Sequence, residues 1–170
     1  MTLDASVRAQ RVKSIAAVGM VAAILDIWSK QTALSWLADF PFGFAVMPFF
    51  NLRLSFNPGI SFGFFAADST SAVSALVIAA ITLILVVVWI GFHSKSAMEV
   101  IASGLIAVGA IDNILDRADD DLVTDFLDIH ALGRHWPTFN LADFAITTGV
   151  VLLLLAAARS ARHSGTCNTG

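Results

Sequence analysis

The sequence predicts a mainly α membrane protein. It would have four transmembrane helices, a small β cradle and a short lid segment on the outer face, and both termini in the cytoplasm. Three observations lead there. Of 170 residues, 57% are hydrophobic and 14% charged, against about 25% charged in an average soluble domain. The mean hydropathy is +0.79, more apolar surface than one small domain can bury away from water. Finally, apolar runs recur at the length that a bilayer requires.

The elements follow in chain order, as one domain over 1–170 with spans at roughly 13–33, 69–92, 97–117 and 140–159. The run at 69–92 is uncharged throughout. The other three reach full length only if a polar end is counted: the first runs into Asp26, the third into Asp112, and the fourth starts at Asp143. The first run also resembles a signal peptide, with Arg8, Arg11 and Lys13 ahead of it. Asp26-Ile27-Trp28-Ser29-Lys30 continues its helical pattern, however, which favours a retained anchor. The outer connections carry the cradle. The stretch 46–65 is rich in Phe, with an Asn57-Pro58-Gly59 turn signal between apolar runs, and 122–129 alternates weakly, as an added strand would.

Direction follows from the positive-inside rule. Four spans put the termini and the 93–99 link on one side. Six of the ten basic residues lie there, with only Asp4 and Glu99 of the thirteen acids. That side is cytoplasmic, and connections 34–68 and 118–138 are outside. The net charge of −3 and the absence of a basic stripe argue against a nucleic-acid partner. Cys167 is alone, and no Cys/His cluster has metal-ligand spacing, so neither metal nor cofactor is expected. His93, His130, His135 and His163 read as solvated residues of loops and tails.

These directions bring Asp26 and Lys30, then Asp112, Asn113, Asp116 and Arg117, then Asn140 and Asp143 to the same outer level. Acids in a lipid-facing helix are costly, so the clustering points to a site. Asp26 and Lys30 are spaced as a helical ion pair. Asn113 precedes Asp116, and Asn140 precedes Asp143, by one turn, so each acid has an amide placed to orient it. Two adjacent carboxyl groups share a proton: the charged one takes a proton from water and the neutral one polarises a carbonyl. Read from composition and topology alone, a transporter, a channel subunit or a structural membrane protein shares these features, and Asp143 could simply cap its helix.

Four blocks carry a family resemblance. Asp26-Ile27-Trp28-Ser29-Lys30 is like D-x-x-[ST]-K. Asn57-Pro58-Gly59-Ile60-Ser61-Phe62-Gly63 is like N-x-G-x-[AS]-F. Asn113-Ile114-Leu115-Asp116-Arg117 with Val123-Thr124-Asp125-Phe126 is like G-N-x-x-D-R…V-x-D-F. Phe139-Asn140-Leu141-Ala142-Asp143 is like F-N-x-A-D. In this order they resemble the bacterial lipoprotein signal peptidases, the type II aspartic family. The resemblance implies a membrane aspartic endopeptidase that cleaves diacylglyceryl-modified prolipoproteins before the lipidated cysteine. Asp116 and Asp143 match the catalytic pair. Asn57, Asn113, Arg117 and Asn140 match residues lining the site, and Asp26 and Lys30 a supporting block. It further implies the bacterial cytoplasmic (inner) membrane as location, bilayer lipid as surroundings, a monomer, and inhibition by globomycin-like peptides. Two departures stand out. Asp112 replaces a usual Gly and adds a third carboxylate near the pair, a possible modulator that could instead pair with Lys30 or Arg117. Asp121 falls where the family often has Gly, at the end of an acidic run read as a solvated loop. A non-catalytic lipopeptide-binding homologue and a small proton-coupled transporter are the alternatives.

Overall fold

The computed structural model describes residues 5–58 and 70–166. Cys167, the 59–63 part of the second block, the 59–65 end of the Phe-rich stretch, and the side chains of Arg8, Arg11, Arg162 and His163 lie outside that description. Four helices carry the chain: α1 (Ala5–Trp36), α2 (Thr70–His93), α3 (Ala97–Asp120) and α4 (Leu141–Thr166). The expected spans match them, with ends extended by up to eight residues. Among the described residues, stretches of α2, α3 and α4 are each long and apolar enough to cross a bilayer. Helix α1 has 32 residues, about 48 Å at 1.5 Å per residue. It too turns a row of apolar side chains outward, with Met20, Val21, Ile24, Ile27 and Trp28 all more than half exposed.

Helix α3 is central, packing against α1, α2 and α4. Two glycines set its distance from α4. A Cβ on Gly109 would meet the Ala142 carbonyl oxygen at 2.5 Å, and one on Gly149 the Ala102 oxygen at 2.7 Å. Small residues allow this approach where no hydrophobic force draws helices together in lipid. Val87, Ile106 and Ala107 form the core of this bundle. Helix α3 starts at Ser96, whose side chain accepts from the Glu99 amide.

The two long connections fold into one antiparallel sheet in the order β1-β2-β3-β4. The strands are β1 (Phe44–Met47), β2 (Phe50–Asn57), β3 (Val123–Ala131) and β4 (Arg134–His135). The β1–β2 turn lies at Pro48 and Phe49, and Asn57 ends β2. The turn signal that begins at Asn57 continues outside the described residues. Leu132 and Gly133 join β3 to β4, both with positive φ, as a two-residue hairpin turn requires. The sheet rests on the end of α1, where Ala33 and Leu37 pack on Phe126 with Leu52, Leu54 and Leu127 around them.

The acidic run is also placed differently from expectation. Helix α3 continues through Asp120, and Asp121 caps it at φ 62°. A left-handed C-cap favours Gly, and Asp is among the few residues that tolerate it. That is the backbone reason for a glycine at this position.

Candidate active site

The polar ends of α1, α3 and α4 meet beneath the sheet. Asn140 is the N-cap of α4. Its Oδ1 accepts from the Asp143 amide at 2.9 Å, and its own amide donates to Asp143 Oδ2 at 3.4 Å. This reciprocal arrangement satisfies two donors that a helix start leaves open. Asp26 supplies a further cap from α1, its Oδ1 accepting from the Ala142 amide at 2.8 Å. Residue 140 reaches this point because Phe139 pairs with Leu127, next to β3.

Lys30 is buried at the centre. Its Nζ lies 2.8 Å from Asp26 Oδ2 and 3.1 Å from Asp116 Oδ2, and donates to Asn113 Oδ1 at 3.2 Å. The pairing of Asp26 with Lys30 is the one the spacing predicts. Asp116 Oδ2 also accepts from the Thr124 amide at 2.7 Å. Asn113 then links the two acids, because its Nδ2 donates to Asp143 Oδ1 at 2.9 Å. Asp116 is thus joined to Asp143 through Lys30 and Asn113. The expected role for Asn113 is corrected here: it serves Asp143 and Lys30 rather than Asp116, one turn along its own helix. The capping reading of Asp143 is accurate for one oxygen, while the other belongs to this network.

Arg117 Nη1 donates back to the Asn113 carbonyl at 3.0 Å. Asn57 Nδ2 donates to Asp125 Oδ2 at 3.0 Å. Asn140 Nδ2 donates to Asp125 Oδ1 at 2.8 Å and to Asn113 Oδ1 at 3.2 Å. Asp125 is therefore the anchor that ties β2 and the start of α4 to the site. Sequence reasoning placed it in a motif and gave it no role. Burial pushes its carboxyl up to about 7, with the Asp143 charge adding to the effect and the two amides and Lys30 opposing it.

Asp112 lines a recess of about 150 Å³ between α1 and α3, together with Asp26, Lys30 and Asp116. It joins the acids around Lys30 without an ion pair to Lys30 or Arg117 among the described residues. Among the histidines, His135 departs from the solvated reading, with Nδ1 2.8 Å from Asp128 Oδ1.

The chain is similar to known proteins over most of its length. Residues 18–159 match the family model for signal peptidase (SPase) II. A lipoprotein signal peptidase of Polynucleobacter necessarius subsp. necessarius is 37% identical over 139 residues, 81% of this chain and 85% of the relative. One from Francisella tularensis subsp. mediasiatica is 38% identical over 147 residues, 84% of this chain and 88% of the relative. A solved bacterial membrane enzyme shares the fold with a TM-score of 0.73 at 23% identity, over 88% of this chain and 90% of that one.

Proposed function

The chain belongs to the signal peptidase II family, and from that premise we propose that Asp116 and Asp143 are the catalytic pair with which it removes signal peptides from prolipoproteins. The observation that carries this is the path from Asp116 through an ion pair to Lys30, and on by hydrogen bonds through Asn113 to Asp143. It fixes both carboxyl groups from side chains of three helices, which is the preorganisation that acid–base catalysis needs.

The substrate is a prolipoprotein whose cysteine already carries diacylglyceryl, cut on the amino side of that cysteine. One aspartate takes a proton from the attacking water. The other polarises the scissile carbonyl and then protonates the leaving nitrogen. Lys30 holds Asp116 at one oxygen, leaving the geometry of the second to face substrate. Asn140 and Asp26 hold the start of α4, and so Asp143. Asn57 acts through Asp125, and Arg117 steadies the turn of α3 that carries Asn113.

We place the site at the outer face of the bacterial inner membrane, with α1 as a fourth span and both termini cytoplasmic. The bias of basic residues supports that direction, and the outward apolar row of α1 supports the fourth span. The enzyme works as a monomer and takes globomycin-like peptides as inhibitors. A proton-coupled transporter is less well supported, since Thr82, the deepest polar residue of α2, turns its hydroxyl back to the Ile78 carbonyl.

The test is cleavage of a diacylated prolipoprotein by the purified protein, followed by mass shift. Asp116→Asn and Asp143→Asn should each slow cleavage on the order of a thousandfold or more, a loss of about 4 kcal/mol in transition-state stabilisation. Normal cutting by either variant would rule out the pair.

A further inference from the structure

We propose that the β3–β4 hairpin is a membrane anchor that lies flat on the bilayer beside the helices. Leu132, Ile129 and Trp136 enter the lipid near the headgroups, and Arg134 meets lipid phosphate. The proposal requires only that the helices span the bilayer, and it is independent of the peptidase chemistry above.

Strand β3 runs across the helix ends rather than away from them. Val123 closely follows Asp121, the C-cap of α3. Phe126 packs on Ala33 and Leu37, where α1 ends. Leu127 exchanges backbone hydrogen bonds of 2.9 and 3.1 Å with Phe139, just before α4 begins. Three helix ends are met between Val123 and Leu127, so this strand runs along the membrane surface. Leu132 lies five residues beyond Leu127, about 16 Å at the usual strand rise. That exceeds one helix diameter of about 10 Å, and β4 packs mainly on β3. The hairpin tip therefore overhangs lipid beside the bundle.

The hairpin is also amphipathic. Side chains alternate faces along a strand. Asp125 accepts from Asn140 at the start of α4, so its face looks toward the membrane. Ile129 and Ala131 share that face, and both are exposed. Trp136, whose amide donates to the Ile129 carbonyl at 2.8 Å, and Arg134, the partner of Ala131, extend it. The other face carries Asp128, His130 and His135. There His135 Nδ1 lies 2.8 Å from Asp128 Oδ1, and the two imidazole rings stack at 4.8 Å. Leu132 stands at the tip, fully exposed, with φ at 52°. A tight hairpin turn favours Asn or Gly there, so leucine serves neither the turn nor a watery surface. Contiguous exposed apolar side chains mark a contact site. Tryptophan and arginine beside them are suited to the bilayer interface, where indole sits at headgroup level and guanidinium binds phosphate. Arg134 has no ion pair among the described residues. A second copy of this chain is a poorer occupant, because the free edge is β4, only two residues long, and short edges resist strand pairing.

Depth-resolved fluorescence quenching in the full chain tests this. Cys167, the single cysteine, is replaced by Ser, and bimane is attached in turn at Ile129→Cys, Leu132→Cys and His130→Cys. Each protein sits in phosphatidylcholine nanodiscs, with bromine at defined depths in the acyl chains or iodide in the water. Labels at the Ile129 and Leu132 positions should be quenched by brominated lipid and spared by iodide. Their depth should be about 5–10 Å into the headgroup and acyl boundary. The label at the His130 position should show the reverse. Arg134→Gln should make the label at the Leu132 position shallower and raise its quenching by iodide. An unchanged depth in that variant overturns the role given to Arg134. Iodide quenching at all three positions overturns the proposal, since the hairpin then stands in water. Protection of the Leu132 position from both quenchers also overturns it, and assigns the tip to a protein contact.

Discussion

Strand β3 carries two aspartates, Asp125 and Asp128, three residues apart and both fully buried, yet their carboxyl groups shift in opposite directions. Asp125 sits between the amides of Asn57 and Asn140, and is pushed up to about 7 by burial and by the charge of Asp143. Asp128 is also opposed by burial, but the hydrogen bonds from His135 and Asn51, with the charges of His135 and Arg53, outweigh it and hold it below the usual value. Neutral amides do not offset burial beside a second carboxylate, whereas cationic partners do. The first acid faces Asp143, Asn57 and Asn140. The second faces the rim of the sheet and pins its short edge strand.

The largest expected effect on this contrast is on stability against pH. Asp125 has a folded pKa of about 7 against an ordinary 3.8. Between those values the folded protein holds more protons than the unfolded one, so stability falls as pH rises. The upper bound is about 4 kcal/mol, lost by the time pH passes through about 7. Asp128 works the other way. Its contribution is present above the ordinary carboxylate value and is lost as acidification passes through its lowered folded value. Thermal unfolding in detergent across pH should therefore show Asp125→Asn flattening the decline between about pH 4 and 7. Asp128→Asn should flatten only the acid limb. Identical profiles for the two variants would erase the distinction.

Next in size is the effect of truncation on activity. Asp125→Ala leaves the Asn57 and Asn140 amides without their acceptor and loosens the cap that holds Asp143. Leaving buried donors unmatched costs about 1–3 kcal/mol, so cleavage should slow by roughly 10- to 100-fold. Asp128→Ala should leave cleavage within about threefold of wild type, because it touches the rim. A comparable loss in both would make the strand, not Asp125, the active element.

The smallest effect is expected at His135, whose side chain is about half exposed. His135→Gln keeps a donor toward Asp128 and loses the charge. Solvent screening limits the cost to roughly 0.5 kcal/mol, read as a small drop in melting temperature.

Much of this was legible from residues alone. The four helices, the sheet between them and the Asp26–Lys30 pair follow from apolar run length and from spacing of four, which are local properties of a chain in lipid. The motifs brought Asp116, Asp143, Asn113 and Asn140 to one level before any coordinates did. The site of the β1–β2 turn was not legible. Pro48 and Phe49 make that turn, while Asn57 stays in β2 through its pairing with Val123.

The roles of the polar side chains were decided by tertiary structure. Local spacing pairs Asn113 with Asp116, yet Asn113 reaches Asp143, thirty residues away in sequence. A strand should alternate its faces, yet Val123 through Phe126 are all buried, since α1, α3 and β2 pack on β3 around the shifted β2 register. Asp125 becomes a buried anchor only through that covering. Sequence determines which residues end the apolar runs, because burial in lipid acts on every residue of a run. It does not determine which donor meets which acceptor, because that depends on how closely Gly109 and Gly149 let α3 and α4 approach.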